Sequence, residues 1–353
     1  MQFEPGVHFG LSDEEYFSVP ALSASGMKNL RISPLDFWAR SAWLNPNYED
    51  DQEDASDSFA RTLGKAYHKR ILEGRGAFDA CYAPSFDPSA HPDALESADQ
   101  IKDALRRFKA QGAEVKLSGT KAELIERLFE LNPLAKVMDE VRLDYEGDHN
   151  GKIFLPTKTL DKIELAAAMI EKHPDLSKAF TGGMPEVSIF WTCPVIGVNC
   201  KARLDYVKPK AIVDLKTVAN TQGKPLAIAV AREFASRRYF IQGAHYDEAA
   251  KQIAGFVKSG AVHGDCDPAI LKALEADHEK TTLFVFQVKG VAPAAIGRTF
   301  PSQGLIFQIA QAEIETLKMQ YRTCLETFGT DPWVETSKIE AFADEEVPSW
   351  AFE

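Results

Sequence analysis

The sequence predicts an α/β (α+β) chain, with a mixed central sheet flanked by helices. Two observations carry this. Three β-rich runs follow one another at 186–191, 198–206 and 211–217, and a fourth lies at 281–288. Helical stretches stand on both sides of them, from residue 22 to 171 and again from 225 to 328.

The elements follow in order. Leu22-Ser-Ala-Ser-Gly opens a helix, with Ser23 or Ser25 as its N-cap. Ser33-Pro34 restarts a second helical stretch through Phe37, Trp38 and Trp43. Glu49 to Asp57 holds six acids and no base, which reads as a solvated linker. Ser56 to Leu72 forms a strong helix ended by Gly74. Residues 76–98 are rich in Pro, Asp and Ala and read as loop. A helical pair spans Ile101 to Leu131, and a further helix covers Thr159 to Glu171. One helix covers Pro225 to Val257, and the last covers Gln303 to Phe328.

Bulk properties narrow the function class. The 353 residues are 45% hydrophobic and 26% charged, the balance of a globular protein. No apolar run reaches membrane-span length, and the first residues show no secretion signal, so a cytoplasmic location is expected. Five scattered cysteines, none in a Cys-x-x-Cys pair, predict reduced thiols and no iron–sulfur cluster. The net charge of −12 argues only weakly against a nucleic-acid partner, because local charges set the field at a site. Lys201, Arg203, Lys208 and Lys210, with Arg232, Arg237 and Arg238, offer a local basic wall.

The chemistry centres on Lys201-Ala-Arg-Leu-Asp205 and Val213-Asp214-Leu-Lys216-Thr217. Asp205 and Asp214 are equidistant from the Pro209–Lys210 bond. A tight antiparallel hairpin there sets them opposite each other, with Cβ atoms about 5 Å apart. Pro209 suits a two-residue primed turn poorly, so a register shifted by a residue or two stays open. Two carboxyl groups that close require a proton or a cation between them. Lys216 shares the face of Asp214. A solvated strand face is the ordinary reading of Asp-x-Lys. Here Ile212, Val213 and Leu215 indicate a buried strand, where charges must be paired or metal-bound.

Three more places offer partners. Gly64 and His68 lie one helical turn apart, the glycine allowing close approach and the histidine offering an imidazole; a structural histidine is the plainer alternative. Glu186 opens a strand and either ligates a metal or is an exposed strand start. Gln242 and Tyr246 share a helix ridge, where they contact phosphate or water or form a half-buried edge.

The ordered set His68, Glu186, Asp205, Asp214-x-Lys216 and Gln242-x-x-x-Tyr246 resembles the RecB-like branch of the PD-(D/E)xK nuclease superfamily. Within it, the set is most similar to RecE-type, exodeoxyribonuclease VIII-like exonucleases. Leu22-Ser-Ala-Ser and Leu63-Gly-Lys-Ala-Tyr-His68 add to the resemblance, which spans roughly 20–80 and 150–290. It implies a restriction-endonuclease-like core and a metal-dependent exonuclease that digests linear duplex DNA 5′ to 3′, leaving a 3′ overhang for phage-type recombination. It further implies Mg²⁺, with Mn²⁺ as substitute, held by His68, Glu186, Asp205, Asp214 and the Leu215 backbone carbonyl. Lys216 would orient or activate water, with Gln242 and Tyr246 supporting the site. A single-strand annealing partner and a homo-oligomeric ring around DNA are implied as well. Members often carry Gln-Glu and prolines on the late strand, where this chain has Gln287-Val-Lys289-Gly290.

A second resemblance covers Ser118-Gly-Thr-Lys121-x-x-Leu-x-x-Arg127-Leu, which is similar to a SAP motif. It implies duplex contact through Ser118, Thr120, Lys121 and Arg127, with Arg203 facing DNA from the core. The expected division is a helical part of the nuclease domain at 1–95, with the acidic linker 49–57; a SAP-like insert at 96–132; and the nuclease core at 133–353. Two rival functions remain. One is a RecB-like nuclease acting on other ends or single strands. The other is a catalytically idle DNA-binding protein, which the intact Asp, Asp and Lys argue against.

Overall fold

The computed structural model describes residues 2–48, 55–290, 292–335, 341, 343 and 346–352. Glu49 to Asp54, most of the expected acidic linker, lie outside the described residues. The remainder of that linker, from Ala55, already belongs to a helix.

The chain runs β1 (Gly6–His8), α1 (Asp13–Ser18), α2 (Ala24–Ile32), α3 (Pro34–Ala39), α4 (Ala55–Leu72), α5 (Gly74–Cys81), β2 (Tyr82–Pro84), α6 (Ala98–Ala110), α7 (Lys121–Leu131), α8 (Met138–Asp148), β3 (Ile153–Leu155) and α9 (Thr157–Glu171). It continues β4 (Met184–Thr192), β5 (Asn199–Lys208), β6 (Ala211–Ala219), α10 (Leu226–Ser236), α11 (Tyr239–Ser259), β7 (Val262–His263), α12 (Pro268–Glu275), β8 (Thr281–Lys289), β9 (Ala294–Phe300) and α13 (Leu305–Phe328). These form two compact units. One joins Met1–His68 to Ala166–Glu353, and the other is Lys69–Leu165.

The larger unit is built on a seven-stranded mixed sheet in the order β7-β1-β4-β5-β6-β8-β9. β4, β5 and β6 are antiparallel neighbours, whereas β6 and β8 run parallel. The β5–β6 connection is tight: Lys208 pairs with Ala211 around Pro209 and Lys210, so the proline is accommodated without a shift of register. The core joins the inner residues of β4–β6 to α11 and α13, among them Trp191, Leu204, Ile212, Ile253 and Ile314. Helix α11 crosses the sheet closely. A Cβ on Gly243 would stand 2.7 Å from the Phe300 ring and 3.3 Å from that of Phe284.

The smaller unit pairs β2 with β3 in parallel. Its helical hairpin α6–α7 closes around Ile101, Leu105, Leu124 and Leu128. Both helices begin with reciprocal capping boxes, Ser97 with Gln100 and Thr120 with Glu123.

Three expectations need correction. Residues 76–98 are not all loop: α5 occupies Gly74–Cys81, and β2 follows it directly. The single helix expected over 225–257 is two, α10 and α11, divided at Arg238. That residue takes a left-handed φ of 52°, which a run without Gly or Pro does not signal. Gly64 admits no close neighbour, since a Cβ there meets nothing within 4 Å.

Gly64→Ala therefore removes a flexible residue from a helix interior without a clash. It should stabilise the protein by about 0.5–1 kcal/mol. Gly243→Ala should destabilise it by roughly 1–3 kcal/mol through overpacking against Phe300. Thermal melts of the two variants check both signs; a gain in Tm for Gly243→Ala would contradict the packing argument.

Candidate metal centre

Strand register builds the site. β4 and β5 pair Pro185 with Tyr206 and Val187 with Leu204, which leaves Glu186 opposite Asp205. β5 and β6 pair Tyr206 with Val213 and Val207 with Ile212; one step further sets Asp205 opposite Asp214. Three acidic residues thus stand in one row across three adjacent strands, and in antiparallel pairing opposed side chains share a face.

The regular ladder gives way along this row. The Leu215 N–H donates to Asp205 Oδ2 at 2.8 Å, so a carboxylate takes the place of a backbone acceptor. Glu186 adopts φ 52°, one of two non-glycine residues with positive φ among those described. Strain of this kind concentrates where a side chain must be aimed. A Cβ on nearby Gly183 would stand 2.2 Å from the Val207 carbonyl, so only glycine lets the chain enter β4 there.

Helix α4 brings His68 to the same row. Its Nδ1 lies 3.6 Å from Asp205 Oδ2. Ligand atoms of His68, Glu186 and Asp205 all fall within 4.8 Å of one another. The Leu215 backbone, whose N–H donates to Asp205 Oδ2, raises the His68 pKa against the effect of burial. On the other side, Lys216 Nζ lies 2.6 Å from Asp214 Oδ2. Gln242, on α11, donates from Nε2 to Asp214 Oδ1 at 3.1 Å and to the Tyr246 hydroxyl at 2.7 Å. The Lys216 ammonium sits 4.9 Å from the centre of the Tyr239 ring.

The electrostatics match the crowding. Burial, and then the charge of Asp205, push the Asp214 carboxyl up to about 7. Burial raises Asp205 too, against the pull of Lys216. Burial opposes the charge on Lys216, but Asp214 and Asp205 outweigh it and hold the ammonium above its ordinary range. Burial, with Lys216 adding to it, lowers His68 to about 4, so the ring is neutral and able to ligate at neutral pH.

Carboxylate oxygens with one imidazole suit a hard divalent cation, Mg²⁺ or Mn²⁺, better than a soft one. The described cysteines stand apart from this cluster as free thiols, three of them buried. Of the expected ligands, His68, Glu186 and Asp205 converge; Asp214 stands beside that cluster and outside it, its oxygens turned to Lys216 and Gln242.

The residues expected to meet DNA fare differently. Arg203 turns inward. It donates to Asp13 Oδ1 at 2.7 Å and to the Ser12 carbonyl at 2.9 Å, and it stacks 4.3 Å from the centre of the Tyr16 ring. Lys201 is buried with its ammonium on the carbonyls of Tyr16, Phe17 and Val19. Neither belongs to a basic wall; both tie α1 to β5. Thr120 caps its own helix, and its N–H, which an anion would take, donates to Glu123. Arg127 donates to the carbonyls of Lys116 and Ser118, and Lys121 pairs with Asp139 at 2.8 Å, while Ser118 is exposed. Sequence reasoning missed Tyr239, whose ring carries the lysine; its place four residues before Gly243 at the helix start was the available signal.

Residues 125–273 match the model of a family described as a PDDEXK-like domain of unknown function (DUF3799). The core is of the PD-(D/E)xK type. The matched stretch takes in every strand residue of the row and Gln242 and Tyr246, and it leaves His68 outside. Among curated proteins no significant match is found. A solved Eubacterium rectale structure named "Putative exonuclease" aligns with 89% of this chain and 85% of its own, at 15% identity and a TM-score of 0.45. Similarity of that size carries neither residues nor activity across. No described helix is long and apolar enough to cross a membrane.

Divalent-cation affinity should rise with pH through about 7. Below that point the Asp214 carboxyl holds a proton that a cation must displace, so affinity should fall about tenfold per pH unit for one proton released. Calorimetric titration with Mn²⁺ at pH 6, 7 and 8 measures this; a flat profile would exclude Asp214 from the ligand set. Without metal, the raised Asp214 pKa contributes stability that is fully present below the ordinary carboxyl value of 3.8 and is lost as pH rises through about 7.

Proposed function

We propose that this protein is a divalent-metal-dependent exodeoxyribonuclease of RecE type, hydrolysing linear duplex DNA 5′ to 3′ to leave a 3′ overhang. The observation that carries the reading is the row Glu186–Asp205–Asp214, with His68 at one end and the Asp214–Lys216 pair at the other, inside a PDDEXK-like core.

Each residue has a task that its position explains. His68, Glu186 and Asp205 would hold Mg²⁺, with Mn²⁺ as substitute, and the resemblance adds Asp214 and the Leu215 carbonyl to that set. A bound cation of this kind polarises the phosphate and lowers the pKa of a water. Lys216, fixed by Asp214, presents N–H donors to the attacking water and to a non-bridging phosphate oxygen. Gln242 holds Asp214 in place from behind, and its own orientation is held by Tyr246.

Duplex ends are the substrate this reading favours, with a single-strand annealing protein and a ring of copies as the partners carried by the RecE-type resemblance. The support is the ordered motif set, together with the site it forms. A RecB-like enzyme of other polarity would share the same site; the choice of labelled end separates the two.

Linear duplex DNA labelled at either 5′ or 3′ ends should lose the 5′ label first as short products, in Mg²⁺ or Mn²⁺ and not with chelator. Asp214→Asn and Lys216→Ala should each lower kcat by on the order of 10²–10⁴-fold while keeping the wild-type Tm within a few degrees. A folded wild-type protein that binds DNA but releases no nucleotide with either metal would leave the idle DNA-binding alternative in its place.

A further inference from the structure

Lys216 has a neighbour of like charge. Lys28, on α2, places its ammonium 5.2 Å from the centre of the Tyr239 ring, whose centre is also 4.9 Å from Lys216 Nζ. The two ammonium groups are therefore at most about 10 Å apart, close enough to serve neighbouring phosphates of one strand. α2 is fixed by the Ser23 cap on the Gly26 N–H and by burial of Ala24, Met27 and Leu30, so the position of Lys28 is set by the core and not by chance on a loose surface.

The charges around it are unequal in their partners. Arg237 pairs with Glu233 at 3.2 Å, and Arg238 pairs with Glu313. Lys216 pairs with Asp214. Among the described residues Lys28 has no hydrogen-bond or ion-pair partner; the Tyr239 ring is what it lies over. Burial, with repulsion from Lys216 next, pushes it down to about 8. A half-buried cation beside another cation, with no acid of its own, is a poor arrangement for the empty protein and a good one for a bound polyanion.

We propose that Lys28 is a substrate-contacting residue of the metal centre, its ammonium binding a non-bridging oxygen of the DNA phosphate next to the scissile one. The inference rests on the nuclease reading above and deepens it. Lys216 serves the reacting phosphate, and Lys28 sets the strand's register one nucleotide away. The Tyr239 ring spaces the two ammonium groups and, by its negative face, tolerates both.

Lys28→Met keeps the aliphatic packing and removes the charge. Steady-state digestion of linear duplex in Mg²⁺, repeated at several salt concentrations, should show KM raised roughly tenfold or more, with kcat changed far less than in Lys216→Ala. The salt dependence of log kcat/KM should become shallower by about 0.9, the signature of one lost phosphate contact. Lys28→Arg should restore most of both. Unchanged KM and salt slope in a folded Lys28→Met protein overturn the proposal, as does a loss of Tm with no change of slope. If Lys28→Met does not fold, Lys28→Gln against Lys28→Arg decides, and equal salt slopes overturn it. Absence of digestion by the wild-type protein would sink the nuclease reading itself; digestion with an indifferent Lys28 sinks this inference alone.

Discussion

Like charges held close inside a poorly solvated site set the terms for the rest of this molecule. Glu186, Asp205 and Asp214 occupy one row across β4, β5 and β6 because the pairing of those strands leaves no other place for them. Asp214 is fully buried and Asp205 nearly so. Carboxylates in that setting repel at a cost that water cannot screen, and protons or cations must offset it. Lys216 supplies one positive charge, which is too little for three acids. The elevated Asp214 pKa is the protein's own response to that imbalance, and a divalent ion is the response that leaves all the carboxylates ionised.

The surrounding elements make sense as supports for this row. Helix α11 approaches closely enough, at Gly243, for Gln242 to reach Asp214 and for Tyr246 to fix Gln242. The break at Arg238 sets the first turn of that helix, so that Tyr239 stands beneath Lys216. Lys201 and Arg203, on the same strand as Asp205, fasten α1 through backbone carbonyls and Asp13. These two cations are thereby withheld from the site. Lys216 and Gln242 engage the row at its Asp214 end, on the opposite side from His68.

The legible part of this site was the part set by local rules. Asp205 and Asp214 could be set opposite each other from their symmetry about the Pro209–Lys210 bond, although turn type as well as loop length fixes register and Pro209 left a shift of a residue or two open. Gln242 and Tyr246 could be paired from helical spacing. What failed depended on contacts distant in sequence. Arg203 reads as a basic surface residue until Asp13, 190 positions away, claims it. β1 and β7 have three and two residues, too few for any alternation to show. Gly64 reads as a close-approach residue by analogy with any helical glycine, and only the fold shows that the close approach belongs to Gly243. Lys28 is an ordinary lysine on an ordinary helix until α2 is docked beside Tyr239.

The overall charge of −12 looks unsuited to a polyanionic substrate, and the site explains why the sum is the wrong quantity. Charges beyond a Debye length of about 8 Å are largely screened at physiological salt, so a phosphate entering the site responds to the groups within that distance. Those groups include Lys28 and Lys216 on one ring, while the nearby Asp214 carboxylate is paired with Lys216. The distant acids still act on the approach. On the proposed reading they would slow encounter with DNA at low salt and weaken loose binding along its length. On the proposed nuclease reading, an acidic protein of this design would bind DNA through its site and little through the rest of its surface, so discrimination in favour of DNA engaged there would follow from charge placement, with no base-specific contact required.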